Sequence, residues 1–369
     1  MPNQIKIRRD TASNFQSENP TLGAGEFSLE TDTSKIKVGN GSTEYNDLQF
    51  IDGDAAASLG LIVQGSNYGY AVAGSGSNGL NSSASLTDIQ RWSVTSDGNA
   101  SDIGDITAGR VAGASATSTT HGYVAGGLIA PPNVRNNTIY KFAFTSPHTA
   151  TDVGDLTNGY FRGMGSSSPT DGYHTGGRSP TLSPQYATIH EKYPFASDTN
   201  ATDNGDLTVG RYNTGGGNSS GSASYFAGGY GGPAGATNII DKIPFAAGGT
   251  ATDVGDLPLS FFNSSSCNSI DNGYVTAVQS DYFSILKFPY ASDTDATDSQ
   301  DLNEGVMVAS GASSTTSGYI SGGRPAASPT GPVSDVGNTI QKFPFANTTT
   351  GTDIADLVTS VTHHIGNQS

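Results

Sequence analysis

A unit of about fifty residues recurs six times along this chain, and it restricts the fold more than any other feature of the sequence. Its most legible copy is NTIQKFPFANTTTGTDIADL, residues 338–357. Each copy carries three anchors in fixed order. The first is a Tyr-led run ending in Gly-Gly, led by Tyr123, Tyr173, Tyr225 and Tyr319, with weaker copies at Tyr70 and Tyr274. The second is a cationic-aromatic pair: Arg91-Trp92, Lys141-Phe142, Lys192-Tyr193, Lys242-Ile243, Lys287-Phe288 and Lys342-Phe343. The third is Thr-Asp-x-Gly-Asp-Leu, clearest at residues 151–156 and 252–257. Spacing of this length belongs to propellers rather than to short-repeat solenoids.

Each unit predicts four strands. The segment after each Asp-Leu or Asp-Ile makes the first, the Tyr…Gly-Gly run the second, residues 139–144 and their equivalents the third, and Thr-Asp-x-Gly-Asp-Leu an acidic outer fourth. Charge on an outer strand discourages pairing with other chains, and Gly-Gly permits backbone conformations and close approaches that a Cβ prevents. After Leu357 the sequence VTSVTHHIGNQS is a first-strand segment with no Tyr-Gly-Gly run behind it. It is expected to complete the unit begun at Tyr70 and so close a six-bladed propeller, which removes the free edges of an open array. The alternative is that residues 57–65 supply that strand and the C-terminal segment pairs elsewhere. The strand order resembles the kelch repeat, including an Arg shortly after the fourth strand (Arg110, Arg211), although Trp is nearly absent.

Residues 1–52 carry no copy of the unit. Charges are denser there, and the alternating runs at 4–8 and 35–38 read as strands with one buried face. Asn19-Pro20, residues 23–25 and residues 39–41 supply turn chemistry. The expectation is a small β-hairpin domain whose few apolar residues need a partner or symmetry mates to bury enough surface. The domain plan is thus residues 1–52, a small-residue linker at 53–60, and the propeller at 61–369. The fold class is all-β.

The N-terminal motifs, Ile5-Lys6-Ile7-Arg8-Arg9, Thr11, Asn19-Pro20, Leu22, Gly25-Glu26, Glu30-Thr31-Asp32, Lys35 to Gly39, Gly41 and Asn46-Asp47-Leu48, resemble the N-terminal domain of phage tail-fibre and tropism-determinant proteins. Those domains carry IxIRRGT, NPxLxxGE, ETDTxKxKxGDG and WNDLxY in the same order. Here Asp10 replaces Gly, Asn40 replaces Asp and Tyr45 replaces Trp. The resemblance implies a module attaching to other virion tail proteins at the base of a fibre, in a homo-oligomer with a trimer favoured. It also implies a virion (tail) location after assembly in the host cytoplasm.

The 369 residues carry a net charge of −16 and no basic cluster beyond Arg8-Arg9, which argues against nucleic acid as a partner. No apolar run is long enough for membrane insertion and no signal peptide is evident, so a soluble protein is expected. The single Cys267 excludes an intrachain disulfide framework and reads as a small half-buried residue. No cofactor, metal site or catalytic residue is expected. The paired Asp residues repeat in nearly every unit, whereas a catalytic pair should be singular, and His363-His364 would point to opposite faces of a strand.

Function is therefore expected in the connections between second and third strands, at 75–87, 128–137, 178–187, 230–237 and 324–337. They bring Arg135, Arg178, Tyr186, Tyr230 and Arg324, side chains suited to a host-surface glycan or protein. A tail scaffold that contacts virion proteins through the same loops is the alternative, and a polysaccharide-degrading enzyme a third reading.

Overall fold

The computed structural model describes residues 7–33, 35–48, 65–76, 85–213, 217–276, 283–325 and 336–369. The linker expected at 53–60 lies outside them. Contacts divide the chain into two compact units, Met1–Leu61 and Ile62–Ser369.

The first unit departs from a hairpin domain. Strand β1 (Arg8–Asp10) is followed by a short helix α1 (Ala12–Glu18), then by strands β2 (Phe27–Glu30) and β3 (Ile36–Val38). β2 and β3 pair antiparallel, but β1 lies parallel to β2, as the intervening helix requires. The helix is too short to show periodicity, and its caps define it: the Thr11 hydroxyl accepts from Asn14 N, and Asn19 ends it at φ 43°. Asn19 therefore serves a helix terminus, not a hairpin. Phe15 stacks on Tyr45 at 4.6 Å between ring centroids, and Leu22 completes a small core. The buried Lys37 Nζ donates to Tyr45 O at 2.6 Å, and the Tyr45 hydroxyl donates to Glu30 at 2.9 Å.

In the second unit the described residues form six four-stranded antiparallel sheets, one of them widened by a fifth strand, and two short two-stranded sheets. The second sheet shows the plan: Ala114–Thr117, His121–Ala125, Thr138–Ala143 and Thr151–Asp155. In the third, the expected outer strand Thr202–Asp206 is flanked by Gly249–Thr250 in parallel, so it is not an edge there. The first sheet takes its first strand from Ile365–Gln368, which pairs antiparallel with Tyr68–Ser75 through Ile365↔Val72 and Gln368↔Gly69. Of the two expectations for this strand, pairing by the C-terminal residues is the one observed.

The repeat anchors are contacts between neighbouring sheets. Tyr70 of the first sheet packs on Phe142 and Phe144 of the second at 5.8 and 4.9 Å, and Tyr123 of the second on Tyr193 and Phe195 of the third at 5.9 and 4.7 Å. Tyr173 meets Phe245, Tyr225 meets Phe288 and Tyr290, and Tyr274 meets Phe343 and Phe345. Tyr319 of the sixth sheet then meets Trp92 of the first at 6.5 Å. Each such pair adds about 0.5–1.5 kcal/mol beyond the area it buries. The cationic residue beside the aromatic reaches the opposite neighbour, the following sheet, as in Lys141–Asp198, Lys242–Asp293 and Lys342–Asp97. These pairs are partly exposed and contribute at most about 1 kcal/mol each.

The first strands follow one another through a second set of bonds. Thr117 N donates to Ser167 Oγ, Ser167 N to Ser219 Oγ, Ser219 N to Asn268 Oδ1, Asn268 N to Ser313 Oγ and Ser313 N to Gln368 Oε1, all at 2.8–3.0 Å. Asn367 Nδ2 donates to Ala116 O at 2.7 Å and returns the succession to the second sheet. The six first strands line a cavity of about 60 Å³ walled by small residues such as Ser115, Ser166, Gly217 and Gly311, room for a few waters. Cys267 is fully rather than half buried, its Sγ 3.3 Å from Tyr319 O, and burial pushes its thiol up to about 12.

Candidate functional site

In five of the six copies the residue two places after the small-residue step that opens the first-strand segment (Gly-Arg, Gly-Tyr, Ser-Phe, Gly-Val or Ser-Val) turns the chain sharply. Ala112, Arg162, Asn263, Val308 and His363 all hold φ between 52° and 65°. Their backbones are bonded in succession: Ala112 N to His363 O, Arg162 N to Ala112 O, Asn213 N to Arg162 O, Val308 N to Asn263 O and His363 N to Val308 O, at 2.7–3.1 Å. Asn213 bridges the remaining step with its side chain, which donates to Ser264 Oγ at 2.7 Å. Left-handed backbone at Val and His is unfavourable and persists only where surrounding contacts impose it. Arg162 extends from this succession, donating to Asn263 Oδ1 at 3.1 Å and lying 3.3 Å from His363 Nε2.

The connections between second and third strands are not open loops where described. They fold back as short pairs against the residue preceding each member of this succession. Val111 bridges Leu128, Phe161 bridges Arg178, Tyr212 bridges Tyr230, and Met307 pairs with Arg324. Leu128, Arg178, Tyr230 and Arg324 therefore occupy one structural position, the residue after Gly-Gly. Its cross-strand partner is Arg135 in one copy, Tyr186 in the next and Ala236 in the third. The five expected site residues thus fall on two repeated positions.

The structure draws most of them together. Tyr186 stacks on Tyr212 at 5.9 Å and meets Tyr230 at 6.2 Å; Tyr212 and Tyr230 are 5.5 Å apart, and Phe262 lies 5.2 Å from Tyr230. Gly232 is required beneath this group, since a Cβ there would collide with the Tyr186 ring at φ 70°. Arg162 lies 5.3 Å over Tyr212. The Arg178 guanidinium donates twice to Gln185 Oε1, at 3.0 and 3.2 Å. Burial and the Arg178 charge both lower the pKa of Arg135. Burial, with Arg178 as a smaller contributor, likewise lowers that of Arg162, against the opposing influence of Tyr212. Arg324 acts with Arg162 on His363, whose pKa is lowered well below the usual value by burial, Arg162 and Arg324.

Arg162, Tyr212 and Phe262 belong to the site and were not singled out in the sequence. They sit in segments that read as plain first strands. The signal was a column: aligned copies place Ala112, Arg162, Asn213, Asn263, Val308 and His363 together, a set too mixed in polarity for a core strand.

The other polar residues have structural duties. The first Asp of Thr-Asp-x-Gly-Asp accepts from the Gly N two residues on, as in Asp152–Gly154 at 3.2 Å and Asp203–Gly205 at 3.0 Å. The second accepts from the Thr that precedes its partner strand, as Asp206 does from Thr188. Arg110 lies buried over Tyr140 and donates to Gly126 O and Thr138 O. Arg211 pairs at 2.7 Å with the fully buried Asp241. His363 is not in a strand, and His364 contacts Ser321 Oγ at 3.0 Å. Among the described residues no three acidic, His or Cys side chains are placed to hold a metal ion, and no helix is long and apolar enough to cross a membrane.

Comparison with known proteins bears on the first unit. Residues 5–43 match the family model of the major tropism determinant N-terminal domain. The match points to a protein of the phage tropism-determinant or tail-fibre type. No curated protein matches the chain.

Proposed function

We propose that the chain is a phage tail appendage in which the N-terminal unit, about residues 1–52, joins the virion and residues 61–369 form a six-bladed, kelch-like propeller that contacts the host surface. The cyclic succession of Tyr–aromatic contacts and first-strand hydrogen bonds supports the propeller reading. The observation that carries the binding role is the gathering of Arg135, Arg162, Arg178, Tyr186, Tyr212 and Tyr230, half-buried and partly open to solvent, on ordered chain next to strained backbone. Short backbone bridges and the bonded succession beside them hold these side chains in place, so little ordering cost opposes binding. The contact is adsorption, not catalysis, and a trimer multiplies weak contacts into avidity. Purified full-length protein is expected to bind envelope fractions of the phage's host and to compete with virions for adsorption. Absence of both, with normal adsorption by virions carrying Tyr186→Ala and Tyr230→Ala, would remove the receptor role.

A further inference from the structure

Several cations of this protein have carboxylate partners. Lys141, Lys242 and Lys342 pair with carboxylates, and Arg211 with Asp241. Among the described residues Arg135, Arg162 and Arg178 have no carboxylate at ion-pair distance, although the chain holds 33 acidic residues against 17 basic ones. The segments that build this region, 128–137, 159–163, 178–187, 210–213 and 230–237, contain no Asp or Glu at all. The Nε atoms of Arg135 and Arg162 are buried without a hydrogen-bond partner. Keeping three guanidinium groups together without a counter-charge costs stability, and an anion arriving from solution would relieve it.

Beside them Tyr186, Tyr212, Tyr230 and Phe262 form a continuous aromatic group. Aromatic side chains that are half exposed offer flat apolar faces and hydroxyl donors together, the combination that suits the C–H face and hydroxyls of a sugar ring.

We propose that this region binds an anionic saccharide, its carboxylate or phosphate held by Arg135, Arg162 and Arg178 and a neighbouring sugar ring resting on Tyr186, Tyr212 and Tyr230. The inference rests on the host-surface reading and names its ligand class. Guanidinium forks favour planar, bidentate oxyanions, and the net negative charge of the chain makes non-specific attraction of polyanions weak.

Affinity electrophoresis of the full chain in gels containing polygalacturonate, phosphomannan, dextran or poly-glutamate tests it. Retardation is expected with polygalacturonate or phosphomannan, the two separating carboxylate from phosphate, and not with dextran or poly-glutamate. Arg178→Gln and Arg135→Gln are each expected to weaken retention at least tenfold, and Tyr186→Ala as much, with melting temperatures that show the variants folded. Equal retention by dextran, retention by poly-glutamate as strong as by the saccharides, or retention unchanged in all three variants would overturn it. Adsorption to host cells separates this failure from that of the receptor role. Cell binding unaffected by Arg178→Gln and by competing polygalacturonate or phosphomannan leaves the receptor role standing and removes the saccharide. Retention on acidic saccharide without any cell binding leaves the saccharide and removes the receptor.

Discussion

The residue before each leading Tyr explains a constraint that the Gly-Gly pairs alone do not. Gly69, Gly122, Gly172, Gly273 and Gly318 stand opposite Trp92, Phe142, Tyr193, Phe288 and Phe343 in register. A Cβ at any of the five would collide with the facing ring. The fourth sheet has Ser224 at this position, and there the facing residue is Ile243, with no ring to accommodate. Ring and missing side chain are thus one unit, in which the large aromatic fills the space over the glycine and reaches the Tyr of the preceding sheet. Gly318→Ser is expected to destabilise the second unit by roughly 1–3 kcal/mol through overpacking. Phe343→Ile alone loses its contact with Tyr274. The double variant, which copies the natural Ser–Ile pair, should be more stable than the sum of the singles by about 0.5–3 kcal/mol. Additive melting shifts in calorimetry would show that ring and glycine are independent.

At the scale of elements, the sequence made the second, third and fourth strands readable because each carries an anchor whose spacing is set by the strand itself. Its limits came where contacts across the molecule decide the conformation. The segment around His363 looks like a plain strand, yet the backbone succession from Val308 to Ala112 forces it into a left-handed turn. The same succession brings Arg162 within reach of Asn263 and His363, partners 101 and 201 residues away, which no local pattern records. Arg135, Arg178, Tyr186 and Tyr230 were legible because arginines and aromatics stand out in Pro-rich connections. Helix α1 was not, because one capping hydroxyl and a single apolar residue define it. Burial of His side chains on these elements carries a pH dependence. Burial lowers His190 and His364 to about 3, and His363 falls well below its usual value. Neighbouring charges are His174, Glu191 and Lys192 for His190, and Arg162, Arg324 and His364 for His363. In the unfolded chain each takes up a proton near pH 6.5, so the stability they hold is complete above that value. It is lost progressively as pH falls from about 6.5 towards 3. The slope is at most about 1.4 kcal/mol per pH unit for each histidine. Melting temperatures measured between pH 7 and 5, a window above most carboxylate titration, should fall with acid, and His364→Gln should flatten the slope. A flat profile would mean that these side chains take up protons while folded.

On the scale of the whole second unit, the proposed propeller depends on a strand supplied from more than 280 residues away in sequence, Ile365–Gln368 against Tyr68–Ser75. That strand does three things at once. It completes the first sheet, its Gln368 accepts from Ser313 N of the sixth, and its Asn367 donates to Ala116 O of the second. Ser369 adds bonds from its carbonyl to the backbone N–H groups of Ser66, Asn67 and Tyr68. Deleting residues 358–369 therefore removes the first strand of the first sheet and leaves Tyr70, Val72 and the flanks of two further sheets facing water. Several kcal/mol should be lost, and at about 2–4 °C per kcal/mol for a unit of this size the melting temperature should fall by about 10 °C or more. Because the vacated position is defined by bonds on three sides, a synthetic peptide of residues 358–369 added to the truncated protein should recover part of the loss in a concentration-dependent way. Melting unchanged by the deletion would show that the six sheets hold together without this strand, and the closure argument would fail. Recovery by a scrambled peptide as well as by the native one would show that no specific position is being filled.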